Sequence, residues 1–442
     1  MPRPRGRPFS APGRGALIQP VVPVRLSADW VLPIDRPPIR DAAVLIGADG
    51  RIAAVGPVAS IPSPPGGRDE RFAGAALMPG LVNAHTHLEL TGLATQVEPT
   101  DFPGWIRSVR ELKAALGPEW FAAAARQGVR DAFAAGITYV LDTGDSGAVF
   151  GALTELGGAG VGYQEVFGPH PSQADASRAD LVRRVEAAQA SVGARVVVGV
   201  SPHAPYTVSG PLYRAVARFA EEGQYPIAVH LAESRAETAF VALGEGPFAA
   251  AWSARGIPPL ADQRPNDPAA RRSPVAWLDA HGVLTQNTLV IHGVQLDDAD
   301  RGLLAARGVG LAHCPCSNRN HGHGDAPLAA ILQAAIRVGV GTDSVVSVGR
   351  LDLFSEIRAA RVLGGLSAAQ ALSLGTRDGA KLVAAAPDFG TITAGHWADL
   401  VAISLPGDQG TSPEELILAA GPEQVLATYA SGRPVYRSGH PA

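Results

Sequence analysis

Cysteine and lysine are scarce in this sequence, and long apolar runs are absent. Cys314 and Cys316 are the only cysteines among 442 residues, and their spacing is a poor one for a structural disulfide. A reducing compartment, the cytoplasm, is therefore expected. No apolar stretch is long enough to span a bilayer, and the apolar segment nearest the amino terminus, 16–24, is broken by prolines, so a secretory signal is not predicted.

Charge is also sparse, with 18% charged residues and a formal net charge of -4. The positive side chains are scattered rather than arranged in a stripe, which excludes a typical nucleic-acid or membrane surface. A small molecule is the expected partner, and a homo-oligomer stays open. At 46% hydrophobic residues the chain can bury a large core. The arginine-, proline- and glycine-rich start, 1–15, is predicted to be a disordered tail.

The central part of the chain alternates short β-branched runs with alanine- and leucine-rich helical stretches, as repeated βα units do. Eight parallel strands over a region of this length predict an α/β fold with a closed (β/α)8 TIM-like barrel, whose active site lies at the carboxyl ends of the strands. The predicted strands are 78–83, 137–141, 161–166, 196–200, 227–229, 289–291, 308–312 and 338–341.

The two flanks of the chain contain short β-like runs and turns without long helices. Chain ends commonly lie close together, so we expect residues 16–76 and 388–442 to form one discontinuous β-sandwich domain beside a barrel at 77–387. The stretch 244–273 is too long for an ordinary βα loop, and we interpret it as a lid-like insertion beside the site.

Histidine and aspartate residues end several of the apolar strands. His85 and His87 follow the first strand, and a period-two strand sends both side chains to one side. A lone His-x-His pair is more often an ordinary loop feature. His230, His292 and Asp343, however, also end predicted strands at the same rim of the barrel, which makes a purely structural explanation poor.

Imidazole and carboxylate are the ligands of catalytic zinc, which keeps one position open for water. One divalent ion is predicted, zinc with iron as the alternative, and a water on zinc has a pKa near ~7. Glu233 lies three residues after His230, close enough to shuttle the proton of that water. The alternative for Glu233 is a solvated glutamate at a helix start. His292 would orient the water or stabilise developing charge.

Several motifs resemble the amidohydrolase superfamily, in the branch that contains adenosine-type, S-adenosylhomocysteine and guanine deaminases together with triazine hydrolases. The first-strand signature is Met-Pro-Gly-Leu-Val-Asn-Ala-His-Thr-His at 78–87. The resemblance extends over nearly the whole chain through the segments 201–207, 230–233, 341–344 and 390–400.

The resemblance implies metal ligation by His85, His87, His230 and Asp343. It also implies Glu233 as the proton shuttle and His292 over the bound water, with deamination of an amidine-like ring carbon as the favoured reaction. Residues expected to contact the substrate are Glu89, Trp105, His203, Ser317 and Asn318. The segments 83–90 and 314–319 are similar to aminodeoxyfutalosine deaminases, although Cys316 stands where that group often has arginine.

Other interpretations remain. A lysine-bridged binuclear centre is disfavoured because the only lysines, Lys113 and Lys381, do not lie at strand ends. A second metal site from Cys314, Cys316, His321 and His323 is the alternative for that segment. Cytidine-type zinc deaminases need a Pro-Cys-x-x-Cys segment, which is missing. Two further alternatives for the function are amide or halide hydrolysis by the same site and a non-catalytic metal-binding homologue.

Overall fold

The structure is a computed structural model that describes residues 21–94, 96–97, 101–263, 272–383, 387–405 and 410–439. The predicted tail at 1–15 and the part of the lid-like stretch at 264–271 lie outside these ranges. Within them the chain forms two sheets, which together contain every strand named below.

Both ends of the chain contribute to the smaller sheet, as the sequence predicted. Its strand order is β15-β14-β13-β4-β1-β2-β3, and β1 pairs with β4 in parallel while the other pairs are antiparallel. A sandwich was expected, and the described strands are hydrogen-bonded into one continuous mixed sheet. The strands are β1 (Val24–Val31), β2 (Ile39–Ile46), β3 (Ile52–Pro57), β4 (Arg68–Pro79), β13 (Leu400–Ser404), β14 (Val425–Ala430) and β15 (Arg433–Arg437).

Eight consecutive parallel strands form the larger sheet, which confirms the predicted barrel. The first of them begins at Leu81, because Met78 and Pro79 pair with β13 and so belong to the smaller sheet. The strands are β5 (Leu81–Thr86), β6 (Ile137–Gly144), β7 (Ala159–Val166), β8 (Val196–Pro202), β9 (Ile227–Leu231), β10 (Thr288–His292), β11 (Gly310–His313) and β12 (Arg337–Val340).

The first and last barrel strands meet at their carboxyl ends and close the barrel. Thr86 and Asp343 form a parallel bridge, and the Asp343 N–H donates to the His85 carbonyl at 3.0 Å. A side chain at Gly341 could not fit here, because a Cβ would lie 2.5 Å from the backbone nitrogen of His85. Glycine therefore allows the segment after β12 to lie directly against the strand that carries two of the histidines.

Alternation along the strands builds two layers of core. In β9, Ala228 packs inside the barrel, whereas Ile227, Val229 and Leu231 pack outward against the helices. This period of two follows from the pleat of a strand. The barrel interior is thus filled with side chains, and the site must lie at its rim.

Helices cover the outside of the barrel and connect its strands. None of the helices in the described ranges is both long and apolar enough to span a bilayer. They are α1 (Phe102–Ala114), α2 (Pro118–Ala134), α3 (Ala148–Leu156), α4 (Ala174–Ser191), α5 (Gly210–Gly223), α6 (Arg235–Leu243), α7 (Pro247–Ala254), α8 (Pro274–Ala280), α9 (Asp298–Arg307), α10 (Pro315–Asn320), α11 (Leu328–Gln333), α12 (Val345–Val348), α13 (Leu353–Gly364), α14 (Ala368–Leu374), α15 (Arg377–Ala380) and α16 (Pro413–Leu418).

Candidate metal centre and active site

Three imidazoles converge at the carboxyl ends of β5 and β9. His85 lies in β5, His87 follows that strand directly, and His230 lies in β9. One ring nitrogen from each lies within 4.8 Å of one from each of the others. The three side chains can therefore share one ion.

The chemistry of these donors fits a metal ion. His85 is fully buried, and neither of its ring nitrogens has a hydrogen-bond partner among the described residues. Burial lowers the pKa of His85, and it lowers the pKa of His87 and of His230 to about 3. All three rings are then neutral, with lone pairs available. Because buried polar atoms are normally paired, an unpaired nitrogen of His85 fits a metal ligand, and one ion would take one of its two ring nitrogens.

His230 has only one nitrogen to offer. Its Nδ1 donates to the His203 carbonyl at 3.1 Å, which leaves Nε2 as the lone-pair atom. A second group, Glu165 with His203 and His230, also has ligand atoms within 4.8 Å of one another. Since both groups need the same nitrogen of His230, they favour one metal ion rather than two.

Asp343 lies where a fourth ligand is needed. Its Oδ1 is 3.5 Å from Nε2 of both His85 and His87. The Ser317 hydroxyl donates to Oδ2 at 2.6 Å, and the Ser344 N–H donates to Oδ1 at 2.7 Å. Burial would raise the pKa of Asp343, but its contacts with His85 and His87 hold that pKa well below the usual range. The carboxylate is therefore ionised and fixed.

Several residues of the site have a left-handed backbone conformation. Asp343 has a φ of 59°, His292 a φ of 74° and Ala232 a φ of 51°. Each such conformation costs a non-glycine residue about 1–3 kcal/mol and persists only where the surrounding structure imposes it. All three lie at or just after the ends of barrel strands, so the strain is concentrated at the rim that carries the site.

Glu233 and His292 face each other beside the imidazoles. Glu233 Oε1 lies 3.5 Å from His292 Nε2, and Glu233 is buried. Burial, with the nearby charge of Asp343, raises the pKa of Glu233 well above the usual range of a glutamate. On the far side of the His292 ring, Nδ1 lies 2.9 Å from Asn318 Oδ1, so the amide oxygen can accept its proton and leave Nε2 free.

A cavity of about 1170 Å³ opens over these residues. Among the predicted substrate contacts, Trp105 and His203 line it. His203 Nδ1 donates to Thr207 Oγ1 at 2.9 Å, since that hydroxyl donates its own hydrogen to the Ala204 carbonyl. The other ring nitrogen of His203 is then an acceptor. Further lining residues include Phe102, Arg107, Arg110, Lys113, Glu165, Phe167, Tyr206, Phe248 and Trp252.

The remaining predicted substrate contacts have other partners in the structure. Glu89 is buried and accepts hydrogen bonds from the Lys113 ammonium at 2.8 Å and from the backbone and hydroxyl of Ser146. Ser317 binds Asp343, and Asn318 binds His292. These three side chains support residues of the site, and contact with substrate stays a prediction for them.

The alternative second metal site is not assembled. Cys314 and Cys316 are free cysteines, and the Cys316 N–H donates to Glu356 Oε2 at 2.9 Å. His321 and His323 pack instead against aromatic rings of α1. Among the described residues, the two groups that could hold a metal contain neither cysteine.

Sequence reasoning missed several supporting residues. Thr143 Oγ1 lies 3.2 Å from His87 Nδ1, and the amide of Asn83 bonds Thr342. Glu165 is buried with one oxygen unpaired in the described structure, and burial raises its pKa well above the usual range. Thr143 and Glu165 lie near the ends of β6 and β7, so the strand-end signal that found the histidines could have found them.

The chain belongs to the amidohydrolase family, whose model matches residues 76–435. A relative from Haloarcula marismortui, named 5-methylthioadenosine/S-adenosylhomocysteine deaminase, is 31% identical over 86% of this chain and 84% of its own. The sequence prediction of this family is confirmed.

Solved structures share the fold. An adenosine deaminase from Xanthomonas campestris with bound zinc has a TM-score of 0.78 and 27% identity, over 93% of this chain and 92% of its own. The aminofutalosine deaminase of Helicobacter pylori, in complex with methylthio-coformycin, has a TM-score of 0.76 over 93% of this chain and 100% of its own. At 21% identity it shows the fold alone.

Proposed function

We propose that this protein is a mononuclear zinc-dependent aminohydrolase that removes ammonia from an amino-substituted purine nucleoside or a related heterocycle. The observation that carries the proposal is the convergence of three neutral imidazoles and one ionised carboxylate, with the buried Glu233 beside them. The family match and the deaminase names of the relatives support the reaction class.

His85, His87, His230 and Asp343 would hold the ion, each through one atom. Bound zinc supplies a Lewis acid that activates water at neutral pH. Iron is the alternative metal, because the same nitrogen and oxygen donors suit it.

We assign the proton transfer to Glu233. As a carboxylate it takes the proton of the attacking water, and it delivers that proton to the substrate. A carbon–oxygen bond forms from the water. When the carbon–nitrogen bond breaks, the proton of the new hydroxyl leaves with the amino group as ammonia, and a carbonyl remains. Burial raises the pKa of Glu233, which makes it a stronger base than an exposed glutamate. His292 presents Nε2 to the same space and helps to orient the attacking oxygen.

The cavity accommodates the proposed substrate. Its volume of about 1170 Å³ exceeds that needed by a nucleoside-sized ligand. Trp105 offers a ring for stacking against a planar base, and His203 offers an acceptor nitrogen. The lid-like stretch contributes Phe248 and Trp252, and we propose that it covers the bound substrate. That the protein acts in the cytoplasm remains a prediction, which is based on the two free cysteines.

Ammonia release tests the proposal. The zinc-loaded protein is assayed with adenosine, 5-methylthioadenosine, S-adenosylhomocysteine and aminofutalosine, and metal content is measured in parallel. We expect ammonia from at least one substrate and loss of turnover after chelation. Glu233→Gln should keep its metal and lose about 10²- to 10⁴-fold in kcat.

Glu155→Gln is the matched control, because Glu155 is exposed and pairs with Arg126. It should keep normal turnover. Hydrolysis of amide or halide substrates without ammonia release would favour the second enzymatic interpretation. A metal-free protein that hydrolyses nothing would favour a binding role, and near-normal activity in Glu233→Gln would remove Glu233 from proton transfer.

A further inference from the structure

A second imidazole nitrogen, besides that of His292, approaches Glu233 from outside the cavity. His323 Nε2 lies 3.3 Å from Glu233 Oε1, the same oxygen that lies 3.5 Å from His292 Nε2. Both His323 and Glu233 are buried. The Glu233 carboxyl thus lies between two rings, one at the end of β10 and one after α10, and His323 Nε2 has no hydrogen-bond partner among the described residues.

The local sequence explains how His323 reaches Glu233. The segment reads His321-Gly322-His323-Gly324, and Gly322 and Gly324 have φ values of 70° and 93°. Left-handed backbone at both glycines turns the chain so that the two imidazoles stack, with centroids 5.6 Å apart. A backbone bond from the His323 N–H to the Asn318 carbonyl at 2.9 Å ties the segment to α10.

Further contacts fix the ring of His323. The Gln295 side-chain amide donates to its carbonyl at 2.8 Å. The ring packs edge-on against Phe102 of α1, with centroids 4.4 Å apart. Burial lowers the pKa of His323 to about 4, so the ring is neutral and does not add a charge beside Glu233.

His323 does not line the cavity over the metal centre, whereas Glu233 and His292 do. A role of His323 in the reaction must therefore pass through Glu233 rather than through contact with substrate. Asn318 already holds the other neighbour, His292. The segment 314–323 thus supports both partners of the proposed proton transfer.

We propose that His323 is a positioning residue, which holds the Glu233 carboxyl in the orientation that proton transfer needs. The inference rests on the proposed function for its kinetic consequence. The edge-on packing of the His323 ring against Phe102 also links the position of Glu233 to the packing of α1, which forms one wall of the cavity.

Substitution of His323 tests this role. His323→Phe keeps the aromatic contact with Phe102 and removes the nitrogen near Glu233. We expect kcat to fall about tenfold, a part of the ~10²- to 10⁴-fold that acid–base catalysis contributes, with KM and metal content unchanged. His323→Gln, which restores a polar group at similar reach, should recover part of kcat. Circular dichroism checks that each variant folds, and His323→Gln decides the outcome if His323→Phe does not.

The matched control is His396→Phe, because His396 Nδ1 lies 2.9 Å from Thr391 Oγ1 beside the smaller sheet and the residue does not line the cavity. None of the contacts of His396 in the described structure involves Glu233, so this variant should keep kcat. A double-mutant cycle gives the sharper result. If His323 acts through Glu233, His323→Phe should have little further effect in a Glu233→Gln background. Full additivity, or normal kcat in His323→Phe, would overturn the proposal.

A readout independent of turnover separates this inference from the proposed function. In protein labelled with 15N-histidine, the Nε2 resonance of His323 should shift in Glu233→Gln, while the resonance of His281, a buried histidine bonded to the Trp277 carbonyl, should not. An unchanged His323 resonance contradicts the contact. A wild-type protein that releases no ammonia would instead count against the proposed function.

Discussion

Asn83 and Thr342 are joined by two hydrogen bonds across the closure of the barrel. The Asn83 side-chain amide donates to Thr342 Oγ1 at 2.8 Å, and the Thr342 N–H donates to Asn83 Oδ1 at 3.0 Å. Both residues are buried. The pair connects the strand that leads to His85 and His87 with the segment that bears Asp343. The same two hydrogen bonds therefore stabilise the closure of the barrel and the geometry of the metal centre.

Asn83→Ala should lower both the stability of the fold and the retention of the metal ion. The Thr342 N–H would lose its partner in a buried place, and an unsatisfied buried group costs about 1–3 kcal/mol. We expect the free energy of unfolding to fall by that amount and zinc to dissociate faster. Urea denaturation and a competition assay with a chelator measure the two effects. Asn287→Ala, at an exposed position, is the control, and equal behaviour of the two variants would contradict the prediction.

Ser317→Ala should weaken metal binding without removing a ligand. The hydroxyl of Ser317 holds Asp343 Oδ2, and outer partners of this kind typically change metal affinity by about 10- to 100-fold. Isothermal titration of the apoprotein with zinc measures the loss. Ser191→Ala removes a comparable hydroxyl, which bonds a helix carbonyl at 2.9 Å far from the site, and should leave the affinity unchanged. Unchanged affinity in Ser317→Ala would exclude the supporting role.

Stability should fall as the pH rises from 6.5 to 8, in part because of Glu356. Burial raises the pKa of this carboxyl to about 8, whereas an exposed glutamate titrates near ~4.3. At the lower end of this interval the folded state keeps the proton and the unfolded state does not, so the slope per group approaches ~1.4 kcal/mol per pH unit, and it falls to about half of that at pH 8. Burial also raises the pKa of Glu237 to about 8.

Glu356→Gln should therefore reduce that slope without abolishing it. Gln still offers an oxygen to the Cys316 N–H but does not ionise. Urea denaturation at three pH values between 6.5 and 8 gives the slope. Glu415→Gln, which removes an exposed partner of Arg361, should leave it as in the wild type. The proposed ionisation of Glu356 is rejected if Glu356→Gln and the wild type have equal slopes.

The lid-like stretch should affect binding of substrate more than the chemical step. Phe248 of α7 stacks on Tyr206 with centroids 4.0 Å apart, and the Trp252 indole N–H donates to the Tyr206 carbonyl at 2.8 Å. Phe248→Ala removes the stack and opens one wall of the cavity. We expect KM to rise about tenfold, or roughly 1.4 kcal/mol, because Phe248 no longer forms part of the cavity wall and the loosened lid must be ordered when substrate binds, with kcat near normal. Steady-state kinetics measure both, and a fall in kcat alone would argue against a lid.

Much of the fold could be predicted because it depends on local patterns. Apolar runs of the right length placed eight strands, and polar residues at the ends of those strands indicated His85, His87, His230, His292 and Asp343. The start of the first barrel strand was misplaced, since Met78 and Pro79 continue an apolar run that pairs with the smaller sheet. Hydropathy alone does not say which partner a strand takes.

The supporting contacts could not be predicted, because they join residues distant in the sequence. Ser317 and Asn318 were expected to contact substrate, and the structure places them against Asp343 and His292. Glu89 was expected at the substrate, and its carboxylate is paired with Lys113. Each of these side chains has chemistry that suits either role, so only its neighbours in space distinguish them.

The barrel, the small sheet built from both chain ends and the ionisable groups at the rim can be inferred from the sequence, because the periods of strands and helices and the polarity of strand ends are local properties. Three features required the folded structure: which nitrogen of His230 is free, which groups bind Asp343 and which rings face Glu233. Those features depend on distances of a few ångströms between different loops, and such distances exist only after the barrel closes.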